Sequence, residues 1–359
     1  MGSGGATPCV RWPDGSTQGE SADILKAIDE KAAAAAAVGA NVQPTPLLPP
    51  TTDETGRAAA LLRFANSPRS LFPSNTRPSS RAAFLYDARG PLPRATFEAT
   101  LDAVDAALAV KPPSDPSSPF FAGGEAPGAA DCAWAPFLER YAAQLPLLHP
   151  GLHPRDAARW PHLAAWYRAM DDQPWYACRV AGDVESWAKV LAVAGYGNSG
   201  DARDFVAPSR ESRPRWDGAG ADEAAEEAAA AARSDLWARF VEAFEAGPEP
   251  PAPTLEAHVA GRLAERREGL VVDFLRDGGG GGGREGFGEA DADAALRACV
   301  DAVLTVDAVG GRGGDAGAAA EGATRAMARY LGERLCVPRD LGAVPAAHMR
   351  RALRVARLT

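Results

Sequence analysis

From Gly56 to Gly195 no run of this chain alternates apolar and polar residues, and its apolar positions recur at three- and four-residue spacing. A half-buried sheet needs that alternation. The stretch is therefore predicted to be helical, with segments at 56–66, 95–110, 129–145, 155–171 and 184–195. Proline clusters at 112–119 and 146–154 part these segments, because proline cannot donate into a helix interior. An all-α domain over 56–195 follows.

The residues ahead of it follow a different pattern. Met1 to Pro8 read as a loop, Cys9–Trp12 as a short strand, Pro13-Asp14-Gly15 as a turn and Ser16–Gly19 as a second strand. Asp-Gly is a strong hairpin signal. Beyond Glu20-Ser21, Ile24, Leu25 and Ile28 repeat at helical spacing to about Glu30. The Pro- and Thr-rich residues 39–55 lack any period and read as a linker. The predicted organisation is a small hairpin–helix unit over 1–38, the linker, the all-α domain and a helical extension over 196–359.

Within that extension 196–220 is polar and loop-like, and the acidic, alanine-rich 221–232 is predicted to be a solvated helix. Helical patterns return at 254–276, 290–307, 318–335 and 345–357. Six glycines, Gly278 to Gly283, have no following Lys-Ser/Thr and no preceding strand, so they read as a linker and not as a phosphate loop.

Composition removes several classes of function. With 38 Lys and Arg against 47 Asp and Glu the net charge is −9, which disfavours a general nucleic-acid or anionic-membrane binder. The longest apolar runs fall short of a membrane span of about 20 residues, and the start lacks a basic and then apolar leader. The five cysteines, Cys9, Cys132, Cys178, Cys299 and Cys336, form no CxxC pair and are predicted to be buried, reduced thiols. His149, His153 and His162 share no helical face with a carboxylate or cysteine, so they read as loop and surface residues and no metal is expected.

One local pattern carries chemistry. A helix N-terminus presents unpaired N–H groups and partial positive charge, so Ser21 can place its amide and hydroxyl on a carboxylate. Glu20 beside it can pair an ammonium group. Ser21 can equally be a plain N-cap and Glu20 a first-turn acid. The run Thr7-Pro8-Cys9-Val10-Arg11-Trp12, the Asp14-Gly15 turn and Glu20-Ser21 together resemble the glutathione S-transferase family. That family's thioredoxin-like half carries a cis-proline, a hairpin and a Glu/Gln-Ser pair opening the next helix. The resemblance implies that Thr7, Pro8, Glu20 and Ser21 bind glutathione, Thr7 through its backbone and the Glu-Ser pair at the γ-glutamyl end. Cys9 directly follows the expected cis-proline and is predicted to be buried in the strand.

A second segment, Pro119-Phe120-Phe121 through Gly128-Ala129-Ala130-Asp131 to Trp134 and Phe137, resembles the same family's all-α C-terminal domain. There a Ser/Thr-x-x-Asp box caps the first turn of a core helix. Here Gly128 stands at the Ser/Thr position, and Asp131 is expected to cap alone, in a folding role. Trp160, Trp166, Met170, Trp175 and Tyr176 are similar to the family's last core helix and its exit, and are expected to be core. The resemblance covers about residues 7–190, and the remainder, including Leu335 to Leu341, looks like the extension of a longer transferase-like group in algae and cyanobacteria.

The chain departs from the family in one respect. A complete thioredoxin-like half has a strand, a helix and a second strand before the cis-proline, and the family's catalytic Tyr, Ser or Cys follows its first strand. That segment is not in this sequence, which is read either as starting late or as a relative that has lost its catalytic centre, so no catalytic residue is assigned. Conjugation or thiol transfer is expected if the segment exists. The expected fold is mostly α: a partial thioredoxin-like β-hairpin and helix, an all-α transferase C-terminal domain and an extra helical extension. The resemblance implies glutathione as co-substrate, a small apolar electrophile and a two-fold dimer, in the cytoplasm or alternatively a plastid. The alternative function is a non-catalytic scaffold holding a protein partner through 196–359.

Overall fold

The structure, a computed structural model, describes residues 9–19, 21–37, 86–87, 90–91, 93–110, 115–193, 213–218, 222–247, 249–276, 287–306 and 318–358. It divides into two compact units, Met1–Ala169 with Leu191–Asp204, and Met170–Val190 with Phe205–Thr359. It is mostly helical, with two small antiparallel strand pairs among the described residues.

In the first unit β1 (Cys9–Arg11) pairs antiparallel with β2 (Thr17–Gly19), Val10 lying opposite Gln18. The turn between them closes where the Gly15 N–H donates to the Trp12 carbonyl at 2.9 Å. Gly15 sits at φ +82°, in the left-handed region that glycine enters without a Cβ clash. The Asp14 carboxylate accepts from the Ser16 hydroxyl and N–H, and these bonds hold its pKa below the ordinary value. Helix α1 (Ser21–Ala37) follows at once and ends in a run of alanines, the residue with the highest helix propensity. A second pair, β3 (Tyr86–Asp87) with β4 (Gly90–Pro91), lies where no strand is predicted. Two residues per strand are too few to show an alternation.

Three further helices build the core of this unit. Helix α2 (Arg94–Ala109) buries Phe97, Leu101, Val104 and Leu108, one stripe at helical spacing. Each such side chain contributes roughly 1.5–3 kcal/mol relative to exposure. Helix α3 (Ala129–Leu148) adds Trp134, Leu138, Tyr141 and Leu145, and Tyr141 meets Phe97 edge-on at 5.7 Å between ring centres. Helix α4 (Pro161–Asp171) starts six residues later than the periodicity predicts. Pro161 explains this: it fits the first helical position and biases Trp160 away from helical ψ. Polar bonds lock α4 to α2, the Trp160 indole donating to Asp102 at 2.7 Å and the Leu163 N–H to Asp105 at 2.8 Å. Of the expected core residues here, Trp160, Trp166, Met170 and Tyr176 are buried, while Trp175 is half-buried.

The second unit begins with a π-helical turn (Tyr176–Val180) and α5 (Val184–Val193). Then come α6 (Glu223–Phe244), α7 (Leu255–Glu265), α8 (Arg267–Arg276), α9 (Glu289–Thr305), α10 (Ala318–Arg334) and α11 (Ala343–Leu358). Helix α9 packs on α7, α8, α10 and α11, and α11 also meets α6 and the π-helical turn. The predicted solvated helix is exposed over its first turns and then buries Arg233, Leu236, Trp237 and Phe240. Arg233 is held by the Trp216 carbonyl at 3.0 Å and Glu226 at 2.8 Å, which compensates its buried charge. Asp183 accepts from the Ser186 N–H at 2.7 Å at the start of α5 and pairs with Arg350 of α11 at 2.8 Å. The Lys189 ammonium donates to the carbonyls of Gly332, Glu333 and Leu335 at 2.5–3.2 Å, satisfying the end of α10. The segment predicted as one helix over 254–276 is broken at Arg266, whose backbone sits at φ −99°, ψ 4°.

Candidate functional site

Ser21 is the first residue of α1, two residues beyond the end of β2, so its backbone belongs to the turn whose N–H groups lack intrahelical acceptors. Thr7, Pro8 and Glu20 lie outside the described residues. What positions the helix start is Gln18, which the sequence reading did not single out. Its side-chain N–H₂ donates to the Asp23 carbonyl of α1 at 3.0 Å, and its Oε1 accepts from the Trp12 indole at 3.0 Å. One amide thus ties the first turn of the helix to both arms of the hairpin. The Lys31 ammonium lies 4.9 Å over the Trp12 ring and adds a cation–π contact.

Cys9 is exposed, against the expectation of a strand-buried thiol. Among the described side chains of residues 9–37 only Ile24 is buried, so among the described residues no apolar layer covers the first strand. The general expectation of buried thiols holds for Cys178 and Cys299, while Cys132 and Cys336 are half-buried. Burial pushes the Cys132 thiol up to about 11 and Cys178 to about 12, so both are protonated and unreactive near neutral pH. No disulfide joins any of the five. His149 ends α3 against the Phe97 ring, His153 is a half-buried loop residue and His162 is exposed on α4. Among the described residues no group of three or more His, Cys, Asp or Glu side chains is placed to hold a metal.

Asp131 is the pivot of the helical core over α2 to α4. It is wholly buried in the first turn of α3, where Oδ2 accepts from the Gly128 N–H at 2.8 Å. Its other oxygen accepts from the Trp166 indole of α4 at 2.8 Å and from the Phe121 N–H at 3.3 Å. One carboxylate therefore caps a helix, anchors the loop before it and joins two helices. Burial pushes its pKa up to about 6, and the donors from Gly128, Trp166 and Phe121 pull the other way.

The first unit is in class a small β-ribbon and helix followed by an all-α bundle centred on a buried capping acid. Residues 92–169 match the family model for the C-terminal domain of glutathione S-transferases, and that segment spans α2, α3 and most of α4. The matched segment, 78 of the 359 residues, is similar to that domain. No curated protein and no solved structure matches the chain significantly.

Among the described residues no helix is long and apolar enough to cross a membrane. The second unit contains a pocket of about 460 Å³ that the sequence reading missed, walled by α7, α8, α10 and the segment before α11. Arg262 and Arg266, one helical turn apart, give the only local signal of it. Arg334 and Arg339 join them from some seventy residues further along the chain, at a distance no local pattern spans.

Proposed function

We propose that this is a glutathione S-transferase-like protein that binds glutathione where the hairpin passes into α1. The observation that carries the reading is the family match over residues 92–169. The strand–turn–strand–helix order of 9–37, with Ser21 opening α1, supports it. In this reading Ser21 offers its amide and hydroxyl to the γ-glutamyl carboxylate, and Glu20 pairs the ammonium group. Thr7, fixed by Pro8, binds the tripeptide through its backbone. If the segment that carries the family's catalytic residue precedes Thr7 in the protein, conjugation or thiol transfer to an electrophile would then proceed by attack of the glutathione thiolate. In conjugation a C–S bond forms, the leaving group departs with its electron pair, and the thiol proton passes to solvent.

Calorimetry with reduced glutathione tests this directly. The expected result is saturable heat at millimolar glutathione, weakened about tenfold or more by Ser21→Ala and by Glu20→Gln, since each removes a hydrogen bond to a charged group worth about 1.5–3 kcal/mol. Absence of heat at millimolar glutathione, with the protein folded, overturns the reading. One observation favours the second reading, a non-catalytic scaffold for a protein partner: α6 to α11 form a helical body outside the matched segment, and conjugation does not require one. A partner that co-purifies stoichiometrically with chains that do not bind glutathione would establish it.

A further inference from the structure

The pocket of the second unit has an unusual balance of charge. Four guanidinium groups line it, from Arg262, Arg266, Arg334 and Arg339, against two carboxylates, Asp273 and Asp340. It is thus a locally cationic cavity in a chain of net charge −9. Three of the arginines have protein partners: Arg262 pairs with Glu265 at 3.0 Å, Arg334 with Asp273, and Arg339 with both oxygens of Asp340 at 2.9 Å. The carboxylates are themselves shared, since Asp273 also pairs with Arg276 at 2.5 Å and Asp340 also accepts the Cys336 N–H at 2.8 Å. Arg266 makes no ion pair among the described residues, although it stands one turn from Arg262, where two like charges repel each other.

The rest of the lining is apolar. Leu263 of α7, Leu331 of α10, Leu341 just before α11 and Met349 of α11 are buried side chains that line this space. A cavity of about 460 Å³ with cations around an aliphatic floor lies in the size range that holds small organic ligands. Guanidinium forks suit planar carboxylates and phosphates, and the leucine floor suits a hydrocarbon body. We propose that this pocket binds a small organic anion, its carboxylate or phosphate head on Arg266 and Arg262 and its apolar body on the leucines between α7 and α10. The site is independent of the glutathione reading, because every residue of it lies outside residues 7–190.

The test uses the full chain and four probes: octyl phosphate, octanoate, inorganic phosphate and octanol, each followed by calorimetry at low ionic strength. Octyl phosphate or octanoate is expected to bind at least tenfold more tightly than either phosphate or octanol alone, and the preferred head group identifies the natural anion. Raising the salt is expected to weaken binding. Arg266 is exposed and makes no ion pair to lose, so Arg266→Glu should leave the circular dichroism and melting temperature unchanged while weakening the amphipathic anion at least tenfold. Arg325→Glu, an exposed charge change on α10 away from the pocket, should leave affinity within twofold. Equal affinity in the Arg266→Glu and Arg325→Glu proteins would overturn the proposal. So would the absence of saturable binding by both amphipathic anions.

Discussion

Asp131→Ala is expected to be among the most destabilising single substitutions in the first unit. It leaves three donors without their acceptor, the Gly128 N–H, the Phe121 N–H and the Trp166 indole N–H, in a site where the carboxylate is wholly buried. Each buried donor left unsatisfied costs about 1–3 kcal/mol, and the three are coupled through one side chain, so the expected loss is about 3–5 kcal/mol. A domain's whole margin is about 5–15 kcal/mol. Urea denaturation should therefore show a large fall in midpoint, or no cooperative transition. Asp291 is the control: it accepts from the Gly288 N–H at 2.9 Å in the same Gly-x-x-Asp arrangement, but it is exposed. Asp291→Ala should cost only about 0.5–2 kcal/mol, as loss of an ordinary cap does. Equal costs at the two positions would mean that Asp131 is a cap and nothing more.

The same carboxyl has a pH signature opposite to that of most paired acids. Its pKa is raised from 3.8 to about 6, so between those values the folded state holds a proton that the unfolded state has released. The stability it contributes is greatest below pH 3.8, declines as pH rises and levels off above 6, a span of about 3 kcal/mol at most. Asp131→Asn cannot titrate. The stability difference between wild type and this variant should therefore widen as pH falls from 7 to 4.5, other carboxylates cancelling between the two proteins. A difference that narrows instead would show that hydrogen bonding to the ionised form outweighs burial.

Gly342→Ala is the second substitution expected to have a large effect. A Cβ at this position would stand 1.7 Å from the Cys178 carbonyl oxygen, 2.2 Å from its carbon and 2.7 Å from the Arg179 nitrogen. All three are backbone atoms of the π-helical turn, so no rotamer change relieves the clash, and α11 must move away from that turn. The helix carries Ala346, His348, Met349 and Leu353 into the core, and all of them would shift with it. The expected cost is about 3 kcal/mol or more, read as a fall in melting temperature. Gly261 in α7 and Gly322 in α10 have open space where a Cβ would go. Alanine there should stabilise by about 0.5–1 kcal/mol. The sign of the effect thus separates a glycine needed for close approach from two that merely weaken a helix.

How much of this was legible in the sequence depends on how local each cause is. The all-α domain showed itself because each helix carries its own apolar stripe, as Phe97, Leu101, Val104 and Leu108 do on α2. Asp131 could be read as a cap from Gly128 and the apolar run behind it. Its bond to Trp166, thirty-five residues away, could not, and the matching Gly288-x-x-Asp291 shows that the pattern alone does not say which aspartate is buried. The break at Arg266 carries no proline or glycine, so 254–276 reads as one helix, and the pocket that forms at the break was invisible with it. Cys9 was misplaced because strand propensity says nothing about whether a second layer covers the strand. Of the expected glutathione residues only Ser21 falls within the described structure, and Gln18, which aligns the helix start, bonds to neighbours too ordinary in type to form a motif.

Lys189 also bears on how the chain can be cut. All three of its ammonium donors go to carbonyls at or just beyond the end of α10, so the stop signal of that helix is written some 140 residues upstream of it. Ser186, which accepts from the Val337 N–H, and Asp183, which pairs with Arg350, bind the same short helix to the last third of the protein. The C-terminal helices are therefore not a detachable module beginning after α5. A fragment started at residue 196 would lose the Lys189 bonds to the end of α10 and keep there the longer Arg350 bond to the Gly332 carbonyl at 3.3 Å, whereas one that includes 170–193 retains both.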